Sequence, residues 1–146
     1  LDVLVELGRK DLAKEILFQD TKPSWLYEVK SGATSIWESW EAMDENHRPN
    51  PVSFDHYAFG IVDDWMLRHI AGIDIDYSRE DAIRICPDTS YGFHAVKRTV
   101  VTESGPVRVE CNDKTLFVTL PANAKAVVTW KGKTYRLNSG THVLGH

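Results

Sequence analysis

Ser53-Phe54-Asp55-His56-Tyr57-Ala58-Phe59-Gly60-Ile61-Val62-Asp63-Asp64-Trp65-Met66-Leu67-Arg68-His69-Ile70-Ala71-Gly72 is the stretch on which the fold turns. Phe54, Tyr57, Ala58, Ile61, Val62, Trp65 and His69 recur at steps of three and four, the spacing of one helical face. Ser53 can cap that face, so the spacing predicts a helix of about five turns ending near Gly72. Beyond Gly72 the apolar period becomes two: Ile83 with Ile85, Val107 with Val109, Leu116 with Val118 and Leu120, and Val128 with Trp130, each the mark of a half-buried strand. Turn chemistry separates these runs at Glu103-Ser104-Gly105-Pro106, Asn112-Asp113-Lys114, Pro121-Ala122-Asn123, Lys131-Gly132-Lys133 and Asn138-Ser139-Gly140. Spacings of about 8–12 residues between turns suit a sandwich. The expected class is α+β, helices first and a small antiparallel β-sandwich after them.

Outward from this stretch toward the start, residues 1–7 read as the end of a helix, Gly8 as its stop, and Asp11 to Leu17 as a second helix. Leu12, Ala13, Ile16 and Leu17 share one face, which gives a helical hairpin. Pro23, Ser24, Trp25 and Tyr27 imply a turn and a short helix before Gly32. The polar run from Glu41 to Pro51 reads as a surface loop. One hairpin cannot bury the long helix, so this half is expected to expose apolar surface that further helices would cover. The chain also starts at Leu1 directly in an apolar run, without Met, and reads as a piece of a longer protein. Residues 1–74 and 75–146 are expected to be separate domains. Charge divides in the same place: residues 1–75 hold 7 basic and 14 acidic side chains, net −7, and the remainder 10 and 7, net +3.

The 146 residues are 42% hydrophobic, 26% charged and 10% aromatic, the make-up of a globular domain able to build a core. A net charge of −4 without a basic stripe argues against nucleic acid or a membrane surface as partner. No run approaches the about 20 apolar residues of a membrane-spanning helix. Cys86 and Cys111 read as two buried apolar thiols, a single bridge being the alternative in an exported parent. His47, His94, His142 and His146 show no metal-ligand spacing. No phosphate-cradling glycine loop, nucleophile elbow or zinc-protease motif is legible, so no cofactor or metal is expected.

Two runs carry candidate chemistry: Gly32-Ala33-Thr34-Ser35-Ile36-Trp37-Glu38-Ser39-Trp40 and the beginning of the helical stretch, Ser53-Phe54-Asp55-His56-Tyr57-Ala58-Phe59-Gly60. They gather a carboxylate, Glu38, and an imidazole, His56, among aromatic rings. Sugar clefts are built this way: apolar ring faces stack on the pyranose, polar groups fix hydroxyls and carboxylates do the chemistry. Glu38 between two tryptophans is the candidate acid or base, with partial burial expected to tune it. Glu41, Asp44 and Glu45 follow on a polar loop and are expected to be solvated. Trp65, His69 and Trp130 lie in periodic elements and read as packed. Trp130, Tyr135 and Tyr91 are the rings a sugar platform in the second domain could use, but strands rich in Val and Leu favour a covering role.

With the preceding Pro23-Ser24-Trp25, the two runs resemble the C-terminal part of bacterial α-L-rhamnosidases of glycoside hydrolase family 78. There a Pro-Ser-Trp segment leads to Gly-Ala-Thr-Thr-x-Trp-Glu-x-Trp and then Asn-His-Tyr-Ala-Phe-Gly; this chain has Ser35 for Thr and Asp55 for Asn. The resemblance implies the last helices of an (α/α)6 barrel, followed by the β-domain. It implies an inverting hydrolysis of terminal α-L-rhamnosyl residues, with Glu38 as general base and His56 in contact with the rhamnose. Trp37 and Trp40 would stack on the sugar or brace Glu38, and Trp25 would be core or cleft wall. The general acid lies upstream in the family, outside these residues, so the chain alone should be inactive. Its expected partners are a rhamnose-containing glycoside or polysaccharide and the rest of the parent barrel. Compartment, oligomeric state and aglycone stay open. The alternatives are a carbohydrate-binding or structural module without catalysis, and another (α/α)6 glycosidase.

Overall fold

The computed structural model describes residues 1–145 and divides into two compact units, Leu1–Trp65 and a second from Met66 onward. The first unit opens with α1 (Asp2–Glu6) and α2 (Lys10–Phe18). Arg9 N–H donates to Leu4 O at 2.7 Å and Gly8 N–H to Val5 O at 3.0 Å, which reverses the chain into a helical hairpin. On α2, Ala13 and Leu17 are buried as their spacing implies, whereas Ile16 stays 42% exposed. The short helix before Gly32 is α3 (Trp25–Lys30). Ser24 caps it, its Oγ accepting from Tyr27 N–H at 3.0 Å. Gly32, at φ +87°, then turns the chain out of α3 into the loop that carries Glu38.

The long helix is shorter than its apolar spacing predicts. Helix α4 covers only Ile61–His69, and residues 53–60 form bends and turns. The reason lies in where the backbone bonds go. His56 N–H donates to Ile36 O at 2.8 Å, Glu38 N–H to Ser53 O at 3.0 Å, and Ser35 Oγ–H to Phe54 O at 2.6 Å. Groups committed to the facing loop are not available to an i to i−4 ladder. Ser53 therefore caps a local turn, its Oγ accepting from Asp55 N–H at 3.2 Å, and Tyr57 is 88% exposed instead of lying on a buried face. Along α4, Asp63 and Asp64 in the first turn and Arg68 and His69 in the last suit the helix dipole, and Val62 and Trp65 are buried.

Among the described residues, the second unit contains eight strands in two four-stranded sheets. β1 (Ile73–Ile75), β2 (Ile83–Ile85), β6 (Ala126–Trp130) and β7 (Lys133–Leu137) form one, in the order β1-β2-β6-β7. β3 (Ala95–Thr102), β4 (Gly105–Asn112), β5 (Thr115–Leu120) and β8 (Gly140–Gly145) form the other, in the order β3-β4-β5-β8. Inward residues of both sheets share one core: Ile73, Ile83, Ile85, Val128 and Trp130 from the first, Val107, Val109, Cys111, Leu116, Val118 and Leu120 from the second. Two sheets on one core make a sandwich. The expectation of an antiparallel sandwich needs one correction: β2 and β6 run parallel, with Ile83 opposite Ala126 and Ile85 opposite Val128. A parallel pair needs a crossover connection, and the chain makes it through β3, β4 and β5 of the other sheet.

At Gly72 only glycine fits. It has φ +70°, Cys86 N–H donates to its carbonyl at 2.8 Å, and a Cβ would fall 2.1 Å from the Cys86 carbonyl carbon. Neither cysteine is in a disulfide; Cys111 is buried as expected, whereas Cys86 lies exposed one residue past the end of β2. Among the described residues no helix is long and apolar enough to cross a membrane.

Candidate active site

The two motif runs meet in the first unit. Besides the backbone bonds given above, the Glu38 carboxylate accepts from Ser53 N–H through Oε2 at 2.7 Å, so side chain and main chain of Glu38 both engage Ser53. The pair is a small ring of two hydrogen bonds, one of them charge-assisted, and it fixes the direction of the carboxylate. Glu38 is exposed, contrary to the partial burial expected between two tryptophans. Its tryptophan neighbours differ in burial: Trp37 is 2% exposed, while Trp40, where the chain bends into a turn, is half-buried.

Trp37 packs edge-on to Phe54, ring centroids 5.2 Å apart at 71°. Trp40 stacks on Phe59 at 4.0 Å and 15°, and it meets Trp25 in a T-shaped contact at 5.6 Å and 86°. Trp25 also donates its indole N–H to Phe59 O at 3.0 Å. Trp25, Trp40 and Phe59 thus form a single aromatic block with Trp40 in the middle, and Trp37 with Phe54 forms another. Offset and edge contacts of this kind add about 0.5–1.5 kcal/mol each beyond area burial.

His56 is half-buried. Its Nδ1 accepts from Ala58 N–H at 3.0 Å, and its ring stacks on Tyr57 at 4.9 Å and 13°. With Nδ1 accepting, the proton of the neutral ring sits on Nε2, leaving that nitrogen as a donor. Of the acidic residues in the 41–51 loop, Glu41 pairs with Lys22 at 3.1 Å, Asp44 Oδ1 accepts from the Asn46 and Arg48 N–H groups, both at 2.8 Å, and Glu45 is exposed.

Sequence reasoning missed one acid. Glu28 on α3 is 2% exposed, and its Oε2 accepts from Trp37 N–H at 3.3 Å. Burial pushes its carboxyl above the ordinary value, the bond from Trp37 opposing the shift. The available signal was its position three residues after Trp25, on the same helical face. In the second unit, a cleft of about 360 Å³ is lined by Glu80, Asp81, Lys125, Arg136 and Asn138 among others. It has charges of both signs and no aromatic ring, so it lacks the apolar face that pyranose stacking uses. Tyr91 and Trp130 are buried, which removes them as platforms. No group of three or more His, Cys, Asp or Glu gathers to hold a metal among the described residues; His146 lies outside them.

The chain thus joins in sequence a helical unit, in which an exposed carboxylate is held beside aromatic rings, to a β-sandwich. Residues 1–70 match the family model of the bacterial alpha-L-rhamnosidase 6 hairpin glycosidase domain. An alpha-L-rhamnosidase of Formosa agariphila is 35% identical over 134 residues, 87% of this chain and 14% of the relative. One from Streptomyces avermitilis is 32% identical over 135 residues, 88% of this chain and 13% of the relative. The solved structure of a Streptomyces avermitilis alpha-L-rhamnosidase complexed with L-rhamnose superposes with a TM-score of 0.84 at 27% identity, covering 98% of this chain and 16% of that one. That of Aspergillus terreus gives 0.84 at 28% identity, covering 97% and 18%. The chain therefore spans about one seventh of the length of the curated relatives it matches.

Proposed function

We propose that these residues form the base side of the active site of an inverting α-L-rhamnosidase, with Glu38 as general base. The observation that carries this reading is the Glu38–Ser53 pairing: an exposed carboxylate held through Oε2, leaving Oε1 to take a proton from water. That water attacks the anomeric carbon while a carboxylic acid on the opposite face protonates the departing oxygen. An inverting pair stands roughly 6.5–9.5 Å apart to accommodate the water. The acid comes from a part of the protein outside these residues, and the chain alone is inactive. His56 donates from Nε2 to a rhamnose hydroxyl. Trp40 offers the exposed part of its ring to the sugar, Trp25 backs it as cleft wall, and Trp37 braces Glu38. Rhamnose has an apolar methyl at C5, which suits aromatic surfaces more than carboxylates.

The helices of residues 1–74 are read as the last of an (α/α)6 barrel whose other hairpins cover their exposed apolar residues, among them Val3, Leu7, Ile16 and Phe18. Residues 75–146 are read as the accessory β-domain, without a sugar platform of its own. The substrate is a terminal α-L-rhamnosyl group on a glycoside or polysaccharide; neither nucleic acid nor membrane has a part. The test is hydrolysis of an aryl α-L-rhamnoside by the full-length parent and its Glu38→Gln variant. A loss of about 10³-fold or more in kcat with KM little changed is expected for a removed base. Activity within a few-fold of the parent removes Glu38 from the mechanism.

A further inference from the structure

Glu28 holds the site loop at two points. Its main-chain oxygen accepts from Ala33 N–H at 3.0 Å, where the loop leaves α3, and its Oε2 accepts from Trp37 N–H at 3.3 Å, one residue before Glu38. The backbone turns at Gly32 just before the first anchor, and between the two anchors it presents Ser35 and Ile36 to the 53–56 segment. Oε1 is fully buried without a hydrogen-bond partner. A carboxyl in this position is a costly choice if packing alone were needed, because one of its oxygens stays buried and unsatisfied. What it supplies, and an apolar side chain cannot, is an acceptor for the amide that precedes Glu38.

We propose that Glu28 is a positioning residue for Glu38: by accepting from the Trp37 amide it fixes the backbone from which the Glu38 carboxylate is aimed. The proposal rests on Glu38 being the general base. Burial favours the neutral acid, which accepts through its carbonyl oxygen, so the role needs an acceptor and not a charge. A glutamine fills it, and an unbranched apolar side chain does not.

The experiment uses the full-length parent, with Glu28→Gln, Glu28→Met, Glu28→Leu and Glu38→Gln assayed side by side on an aryl α-L-rhamnoside, kcat being taken per folded enzyme. Glu28→Gln is expected within about 2-fold of the parent. Glu28→Met and Glu28→Leu should lose about 10- to 100-fold in kcat with KM within about 2-fold, the cost of misplacing a catalytic group by up to 1 Å. Parent-like kcat in the apolar variants overturns the proposal, and so does a Glu28→Gln variant as impaired as they are. Should both apolar variants fail to fold, Glu28→Gln decides: kcat within 2-fold supports an acceptor role, and a loss above tenfold overturns it. A fully active Glu38→Gln variant instead brings down the reading of Glu38 as base, which separates the two failures.

Discussion

Replacing Ser24 by alanine tests whether the loop bearing Glu38 leans on α3. Ser24 is 3% exposed and its Oγ is the acceptor that caps the helix. Loss of such a cap costs about 1 kcal/mol, with a range of roughly 0.5–2. Helix α3 has 6 residues, far too few to persist by intrinsic propensity, so the loss falls on the helix directly. A change of about 1–2 kcal/mol raises the opened population by about 5- to 30-fold. Amide hydrogen exchange on this chain reads that factor residue by residue. Four amides report on it: Glu28, bonded to Ser24 O at 3.4 Å; Ser31, bonded to Tyr27 O at 2.9 Å; Ala33, bonded to Glu28 O; and Trp37, bonded to the Glu28 side chain. All four should exchange faster in Ser24→Ala by that factor, and Ser24→Thr should restore protection. Faster exchange at Glu28 with no change at Ala33 and Trp37 would refute the dependence of the loop on α3.

Three further outcomes are expected. Val118→Ala on β5, at a fully buried position, should lower stability by about 2–3 kcal/mol, the transfer of two buried carbons plus a cavity, whereas Val143→Ala on β8, 60% exposed, should stay within about 0.5; urea midpoints compare them, and equal effects would contradict the register of the sheet. Because burial lifts the Glu28 carboxyl above its ordinary 4.5, the folded chain keeps a proton that the unfolded chain releases, so this group's contribution to stability is full below 4.5 and is lost as pH rises toward the folded value; Glu28→Gln should remove that slope, and an unchanged melting profile across the window argues against a neutral buried acid. Burial, reinforced by the charge of Asp113, raises the Cys111 thiol, so a thiol reagent at mildly alkaline pH should label only Cys86 in the folded chain and both cysteines after denaturation; rapid labelling of Cys111 would contradict its place in the core.

The strands that alternation reveals are β2, β4, β5 and β6, and these are the inner strands of the two sheets. The strands it does not reveal, β1, β3, β7 and β8, are the four edges. An edge strand has one neighbour and shallower cover, so polar residues occupy its inward positions: Arg98 and Thr102 alternate with Val96 and Val100 along β3, all half-buried. The parallel β2–β6 pair was illegible for a different reason, since strand periodicity carries no information on direction. In the first unit, helical spacing over 53–60 was genuine as a pattern and overridden by tertiary bonds from Ile36, Glu38 and Ser35, groups 15 to 20 residues away. The same bonds are what join the two motif runs, so the resemblance carried by those runs located the candidate site even though the local helix reading failed. Glu28 was passed over because a Glu in a short helix is ordinarily a surface residue. Its burial follows from the loop folding back over α3, which only the three-dimensional arrangement reveals.

The stereochemistry of the first turnover tests the central claim most directly. Proton NMR of the full-length parent acting on an aryl α-L-rhamnoside should show β-L-rhamnose first, the α anomer growing later by mutarotation, and in Glu38→Gln neither anomer should accumulate above background. Initial release of α-L-rhamnose would require a carboxylate acting as nucleophile at about 5–5.5 Å from the acid, and would contradict the assignment of Glu38 as a base for water.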